Sequence, residues 1–190
     1  MEKQGISSIL TNETRIDIYS NLFLRGDEDE VNTLQKNSLI VSFHEWHDWF
    51  RKWSIEKNTL WDTPVAAGKW TVRELISHMM RWDRYFWEGA ISLIISGEEK
   101  QLQIQHLDFD IFNEAAREHA HTISIEELVQ ETLHYREQII RALHELPAED
   151  WTKEYKGLDG GPFTVQSYVE DFIWHDRHHM KQLEDMTKSL

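Results

Sequence analysis

Apolar residues recur along the chain at alternating steps of four and three, the spacing of one face of an α-helix. Over residues 32 to 56 the seam is Leu39, Phe43, Trp46, Phe50 and Trp53. A second seam, Leu75, His78, Trp82 and Tyr85, follows Thr71 and Glu74, which have capping-box spacing. This helix is expected to run to about Ser96 and stop near Gly97. A third opens on another capping box, Ser124 and Glu127, and carries Leu128, Thr132, Tyr135, Ile139, Ala142 and Leu146 before Pro147 ends it. The fourth follows the loop KGLDGGP and runs from about Thr164 to Met186.

The pattern predicts an all-α protein, a four-helix bundle with a long crossover between the second and third helices and an extra N-terminal segment. The crossover covers about residues 97 to 123, and its DFDIFNEAAREHA part reads as a short helix. The N-terminal extension is assigned to residues 1–30, with a short helix near Ile16 to Leu24 and then the acidic GDEDE turn; the bundle takes residues 31–190. No internal repeat and no strand-like alternation competes with this reading.

Composition narrows the function classes. With 40% hydrophobic residues, 12% aromatics and nine tryptophans, the chain is globular and suits one domain with a sizeable core. Its 34 acidic residues against 20 basic ones give a formal charge of −14, which repels nucleic-acid phosphates and anionic lipid surfaces. No nucleic-acid partner is expected. No apolar run approaches the roughly 20 residues of a membrane span. The first 30 residues lack a basic region followed by an apolar run, so no secretory signal and a cytoplasmic location are expected. There is no cysteine, which excludes disulfides, thiolate metal sites and a cysteine nucleophile. A transition metal would have to be held by histidine and carboxylate.

That puts weight on the 11 histidines. In the last helix Tyr168, Phe172, His175, His179, Gln182 and Met186 fall within roughly 40° of one direction, at about 100° per residue. His175 and His179 therefore share an interior face one turn apart, whereas His178 points about 80° away. Residues four apart on a helix can place two imidazoles on one ion. His78 occupies the seam of the second helix by the same test. Three seam histidines are either metal ligands or a hydrogen-bonded polar seam, since burying three imidazoles without compensation costs several kilocalories. His44 and His47 share a face beside the first seam and are read as flanking residues, with a second site as the alternative. His106, His119, His121, His134 and His144 are read as surface residues.

The stretch KWTVRELISHMMRWDRYF, the middle segment FNEAAREHAHTISIEELVQETLHYREQIIRALHELPAEDW and the late WHDRHHMKQL together resemble the DinB-like (damage-inducible B) superfamily of metal-binding four-helix bundle proteins. The resemblance covers about residues 31 to 186 and includes relatives such as the bacillithiol S-transferases. It implies three histidine ligands for a divalent metal, and the family pattern falls on His78, His175 and His179.

Three neutral imidazoles leave a divalent ion with its double charge and open coordination positions, the arrangement of a catalytic site. Such an ion lowers the pKa of a bound water or thiol. The leading expectation is a metal-dependent transferase that activates a low-molecular-weight thiol towards an electrophilic small molecule. The alternatives are a metal-dependent hydrolase and a non-catalytic protein that binds or sequesters a small molecule. Zinc, nickel, manganese and iron all accept imidazole. Asp171, one turn before His175, and Asp83, five residues after His78, are candidates to orient the histidines; a solvated surface charge is the plainer reading of each. Asn113 in the crossover is placed near the open end of the bundle. Ile173 and Trp174 point away from the last seam, so they would cover either a partner in a homodimer or the N-terminal helix.

Overall fold

The computed structural model describes the backbone of residues 12–189 and the side chains of residues 30–189. In chain order the helices are α1 (Asn12–Glu56), α2 (Val72–Phe86), α3 (Ser92–Ile95), α4 (Phe109–Ala120), α5 (Ile125–Glu145), α6 (Ala148–Thr152) and α7 (Val165–Ser189). A two-residue antiparallel hairpin, β1 (Tyr155–Lys156) with β2 (Pro162–Phe163), precedes α7. The bundle consists of α1, α2, α5 and α7. α1 packs on α5 and α7, and α2 packs on the same two, so the consecutive helices α1 and α2 lie diagonally opposed. The crossover contains α4, which covers α2.

The local signals act as expected. Thr71 Oγ1 accepts from Glu74 N and Glu74 Oε2 accepts from Thr71 N (2.7 Å), closing the capping box that starts α2. Ser124 and Glu127 do the same for α5. Asp108 caps α4 by accepting from Asp110 N and Ile111 N.

Two features differ from the pattern. The short helix near Ile16 to Leu24 and the acidic turn after it are both part of α1, which runs through GDEDE without a break. Acidic residues cost only tenths of a kilocalorie in a helix and Gly26 about 1 kcal/mol, and no proline intervenes to stop it. Residues 1–11 of the expected extension lie outside the described residues. The second bundle helix also carries a π turn at Trp87–Ile91 between α2 and α3, which shifts its phase. There Gly89 lets the crossover approach: its carbonyl accepts from Gln103 N (2.8 Å), and a Cβ would stand 3.1 Å from Ile104 Cγ2.

The interior is divided. One apolar cluster gathers around Phe43, Ile139, Leu143, Tyr168 and Phe172, the other around Trp46, Phe50, Met79, Leu128 and Leu183. Ile173 belongs to the first cluster and is buried, so it packs within the bundle. At the level between the clusters sits a buried ionic network. Arg136 of α5 donates from Nε and Nη2 to Asp83 of α2 (2.9 and 3.0 Å), and from Nη1 and Nη2 to Asp176 of α7 (2.5 and 3.0 Å). Nη1 also reaches the carbonyl of Phe43 on α1 (3.4 Å). All five guanidinium donors are used, and the contacts span all four bundle helices. Asp83 is fully buried, so its reading as a solvated charge is corrected. The sequence pattern had put Tyr135 in the α5 seam; the inward position is Arg136, and Tyr135 is only half-buried.

Removing one partner from a buried ion pair leaves an uncompensated charge. Arg136→Met is expected to lower the unfolding free energy by about 3–5 kcal/mol at neutral pH. The deficit should shrink as the pH falls, because the two stranded carboxylates then take up protons. Urea denaturation at pH 7 and pH 5 measures both; a loss under about 1 kcal/mol at pH 7 would show that the network is dispensable.

Candidate metal centre

At the same level as the ionic network, facing outward between α2 and α7, three histidines converge. His78 Nε2 lies 3.0 Å from His175 Nε2, and His179 Nε2 lies 3.2 Å from the same atom. His78, His175 and His179 form one of two groups among the described residues whose potential ligand atoms all lie within 4.8 Å of one another. Metal–imidazole bonds of about 2.0–2.1 Å separate ligand nitrogens by roughly 2.9 Å at right angles and 3.3 Å at tetrahedral angles. The observed spacings fall in that interval.

The far nitrogens fix the protons. His78 Nδ1 donates to Asn113 Oδ1 on α4 (2.9 Å), and His179 Nδ1 donates to Gln182 Oε1 one turn on (2.8 Å). Both rings therefore turn an Nε2 lone pair towards His175. A proton on His175 Nε2 can satisfy only one of these two neighbours. A cation satisfies all three, so the donor set fits a divalent metal held by neutral imidazoles. Burial, reinforced by the charge of His179, lowers the His78 pKa to about 4. Burial, then His179 and His78, lowers that of His175 to about 2. Burial lowers that of His179 to about 4, against the opposing effect of the hydrogen bond it donates to Gln182 Oε1. At neutral pH the three rings are thus uncharged, each carrying a single proton.

Beside the triad opens a cavity of about 590 Å³. Trp82, Phe86, Phe109, Phe172 and Trp174 form its walls, and His78, His175, Asn113 and Asp171 supply its polar groups. Asp171 is exposed at this wall and not against a histidine, and no lysine or arginine is among the described lining residues. Asn113, expected only near the open end, reaches His78 directly. His178 is exposed and stacks on Trp174, with ring centroids 5.7 Å apart.

The second group is His44, His47 and Asp48 on α1. His47 is buried, not flanking. Its Nε2 lies 3.3 Å from Arg51 Nη2 and accepts from that guanidinium, which leaves its proton on Nδ1, 3.6 Å from Asp48 Oδ1. A guanidinium in contact and a protonated Nδ1 both oppose a second cation there. Among the histidines read as surface residues, His106, His121, His134 and His144 are exposed and His119 is half-buried. Sequence reasoning missed Arg136 and Asp176, both buried. It placed Gln182 on the inner face without giving it a role.

A four-helix bundle carrying a histidine triad against an aromatic cavity defines a class, and residues 36–183 match the DinB superfamily: the chain belongs to it. A protein of Bacillus cereus (strain AH820), provisionally named a metal-dependent hydrolase, is 26% identical over 129 residues, covering 68% of this chain and 71% of its own. A Bacillus thuringiensis protein with the same provisional name is 25% identical over the same shares. Among solved structures, YfiT from Bacillus subtilis aligns with 98% of this chain and 93% of its own, at a TM-score of 0.64 and 15% identity. It is described as a probable metal-dependent hydrolase with an unusual four-helix bundle topology, and the likeness is one of fold.

An unfolded imidazole titrates near 6.5, above the folded values of these three. Each therefore favours the folded chain above pH 6.5, and that contribution is lost as the pH falls through the folded values. In metal-free protein, NMR titration is expected to find the His78 and His179 rings neutral down to about pH 4. Protonation of either near 6.5 would contradict the buried, converging geometry.

Proposed function

We propose that the chain binds one divalent metal ion through His78, His175 and His179 and uses it to hydrolyse a small, largely apolar substrate held in the adjoining cavity. The observation that carries this is the meeting of three Nε2 atoms whose partner rings are already anchored by Asn113 and Gln182. When bound, such an ion supplies Lewis acidity and makes a small nucleophile available near neutral pH.

The chain's own residues do the rest. Asn113 and Gln182 hold the imidazoles in the tautomer with Nε2 free. Trp82, Phe172 and the other aromatic walls exclude water and offer flat faces to an apolar or aromatic substrate. Asp171 is the carboxylate of the wall and the candidate to take a proton from the attacking water. The names of the Bacillus relatives support hydrolysis.

The second reading is the S-transferase, in which a low-molecular-weight thiol replaces water as nucleophile. The cavity volume supports it, since about 590 Å³ has room for two small reactants. The charge pattern weighs against an anionic thiol: the charged group of the lining is Asp171, and the chain carries a net −14. On this reading hydrolysis comes ahead of the thiol transferase, which is the leading expectation from the sequence. Zinc, nickel, manganese and iron remain the metals that suit three imidazoles.

The reactions separate in one experiment. Untagged protein loaded with each metal is assayed with neutral aryl esters and amides, and with thiol plus electrophile, including bacillithiol, mycothiol, glutathione and coenzyme A. Metal-dependent ester or amide cleavage is expected. Metal-dependent thiol consumption alone would make the transferase the activity, and tight substrate binding without turnover would make the chain a sequestering protein.

The adjacent histidines provide the test of the ligand set. His179→Ala is expected to weaken metal binding at least tenfold, about 1.4 kcal/mol or more, as read by titration against a competing chelator. His178→Ala is expected to change it by less than about threefold, roughly 0.7 kcal/mol. A larger loss for His178 would overturn the assignment.

A further inference from the structure

His175 differs from the other two members of the triad. Its Nδ1 is buried and has no hydrogen-bond partner, whereas those of His78 and His179 donate to amide oxygens. The carboxylate facing it is Asp176 Oδ1, at 4.0 Å. Asp176 cannot swing closer without breaking other bonds, because Arg136 holds both of its oxygens. Arg136 is itself gripped by Asp83 and by the Phe43 carbonyl. The position of this carboxylate is thus set from three other helices. The network also holds two carboxylates to one guanidinium, an excess of one negative charge inside the protein, which is costly unless a positive charge stands nearby.

We propose that Asp176 is a positioning residue for the metal centre: locked by Arg136 and Asp83, it keeps the His175 proton on Nδ1 and so turns the Nε2 lone pair towards His78 and His179. An imidazole beside a buried carboxylate gains by pointing N–H at it and loses by pointing a lone pair at it, even beyond hydrogen-bond distance. The excess negative charge of the network then lies behind the ring opposite the ion and offsets part of its double charge. This rests on reading the three histidines as a metal site.

The test uses the full chain, first without metal. Long-range proton–nitrogen NMR spectra report the tautomer of each ring, and His175 is expected to carry its proton on Nδ1. In Asp176→Asn the proton should move wholly or partly to Nε2, and zinc affinity should fall by roughly 10–100-fold in competition with a chelator. Asp83→Asn also takes one carboxylate from Arg136 but does not face the ring. It should leave the tautomer unchanged and cost at least about tenfold less affinity than Asp176→Asn. A wild-type His175 protonated on Nε2, or equal affinity losses in the two variants, would overturn the proposal. If Asp176→Asn fails to fold, the wild-type tautomer still decides it. Wild-type protein that binds no zinc yet shows the tautomer change would remove the metal reading and keep the positioning role. Equal zinc binding by wild type and Asp176→Asn, with one unchanged tautomer, would do the reverse.

Discussion

A single guanidinium ties this bundle together. Arg136 bonds to Asp83, Asp176 and the Phe43 carbonyl, so one side chain of α5 touches α1, α2 and α7 at the same height. Taking these charges out of water costs several kcal/mol per ion, and replacing such a network with apolar groups is often neutral or stabilising. Its value therefore lies in specificity. An apolar seam alone tolerates sliding by a turn, because one leucine resembles another. Sliding α2 or α7 against α5 here would strand a buried charge, so the register of three helices is set together.

That register is what the histidines need. His78 stands five residues before Asp83 on α2, and His175 is next to Asp176 on α7, so the same layer that fixes the helices also fixes the triad. α4 then closes the site from outside through Asn113. The arrangement has an inner polar layer that is fully satisfied and an outer one that converges on open space lined by aromatic rings. Dividing the interior into two apolar clusters is the structural cost of placing polar groups at mid-bundle.

Much of this was legible in the chain. The capping boxes at Thr71 and Ser124 and the four-three seams yield the bundle helices, because those signals are local. The angular argument that separates His179 from His178 needs only the helix repeat, and the two rings do part, one buried and one exposed on Trp174. Asp83, Arg136 and Asp176 were harder. Each sits on core spacing, Leu128–Thr132–Arg136–Ile139 being an unbroken row, yet a charge at such a position reads as a surface residue unless its partner is known. The partners lie 53 and 40 residues away, beyond any local pattern. Opposite charges on core positions of three helices at once were the available signal. The continuity of α1 through GDEDE was missed for the opposite reason: acidic clusters resemble turns in composition but do not forbid a helix.

The rim of the cavity has a different standing from its floor. Phe109 and Trp174 are 57% and 70% exposed, and their side chains belong to neither apolar cluster and neutralise no buried charge. Exchanging them would alter what enters the cavity while leaving the helix register and the three imidazoles where they are. The fold thus separates the mouth of the cavity from the buried layer that sets the helix register, so the mouth can vary in sequence without re-solving the folding problem.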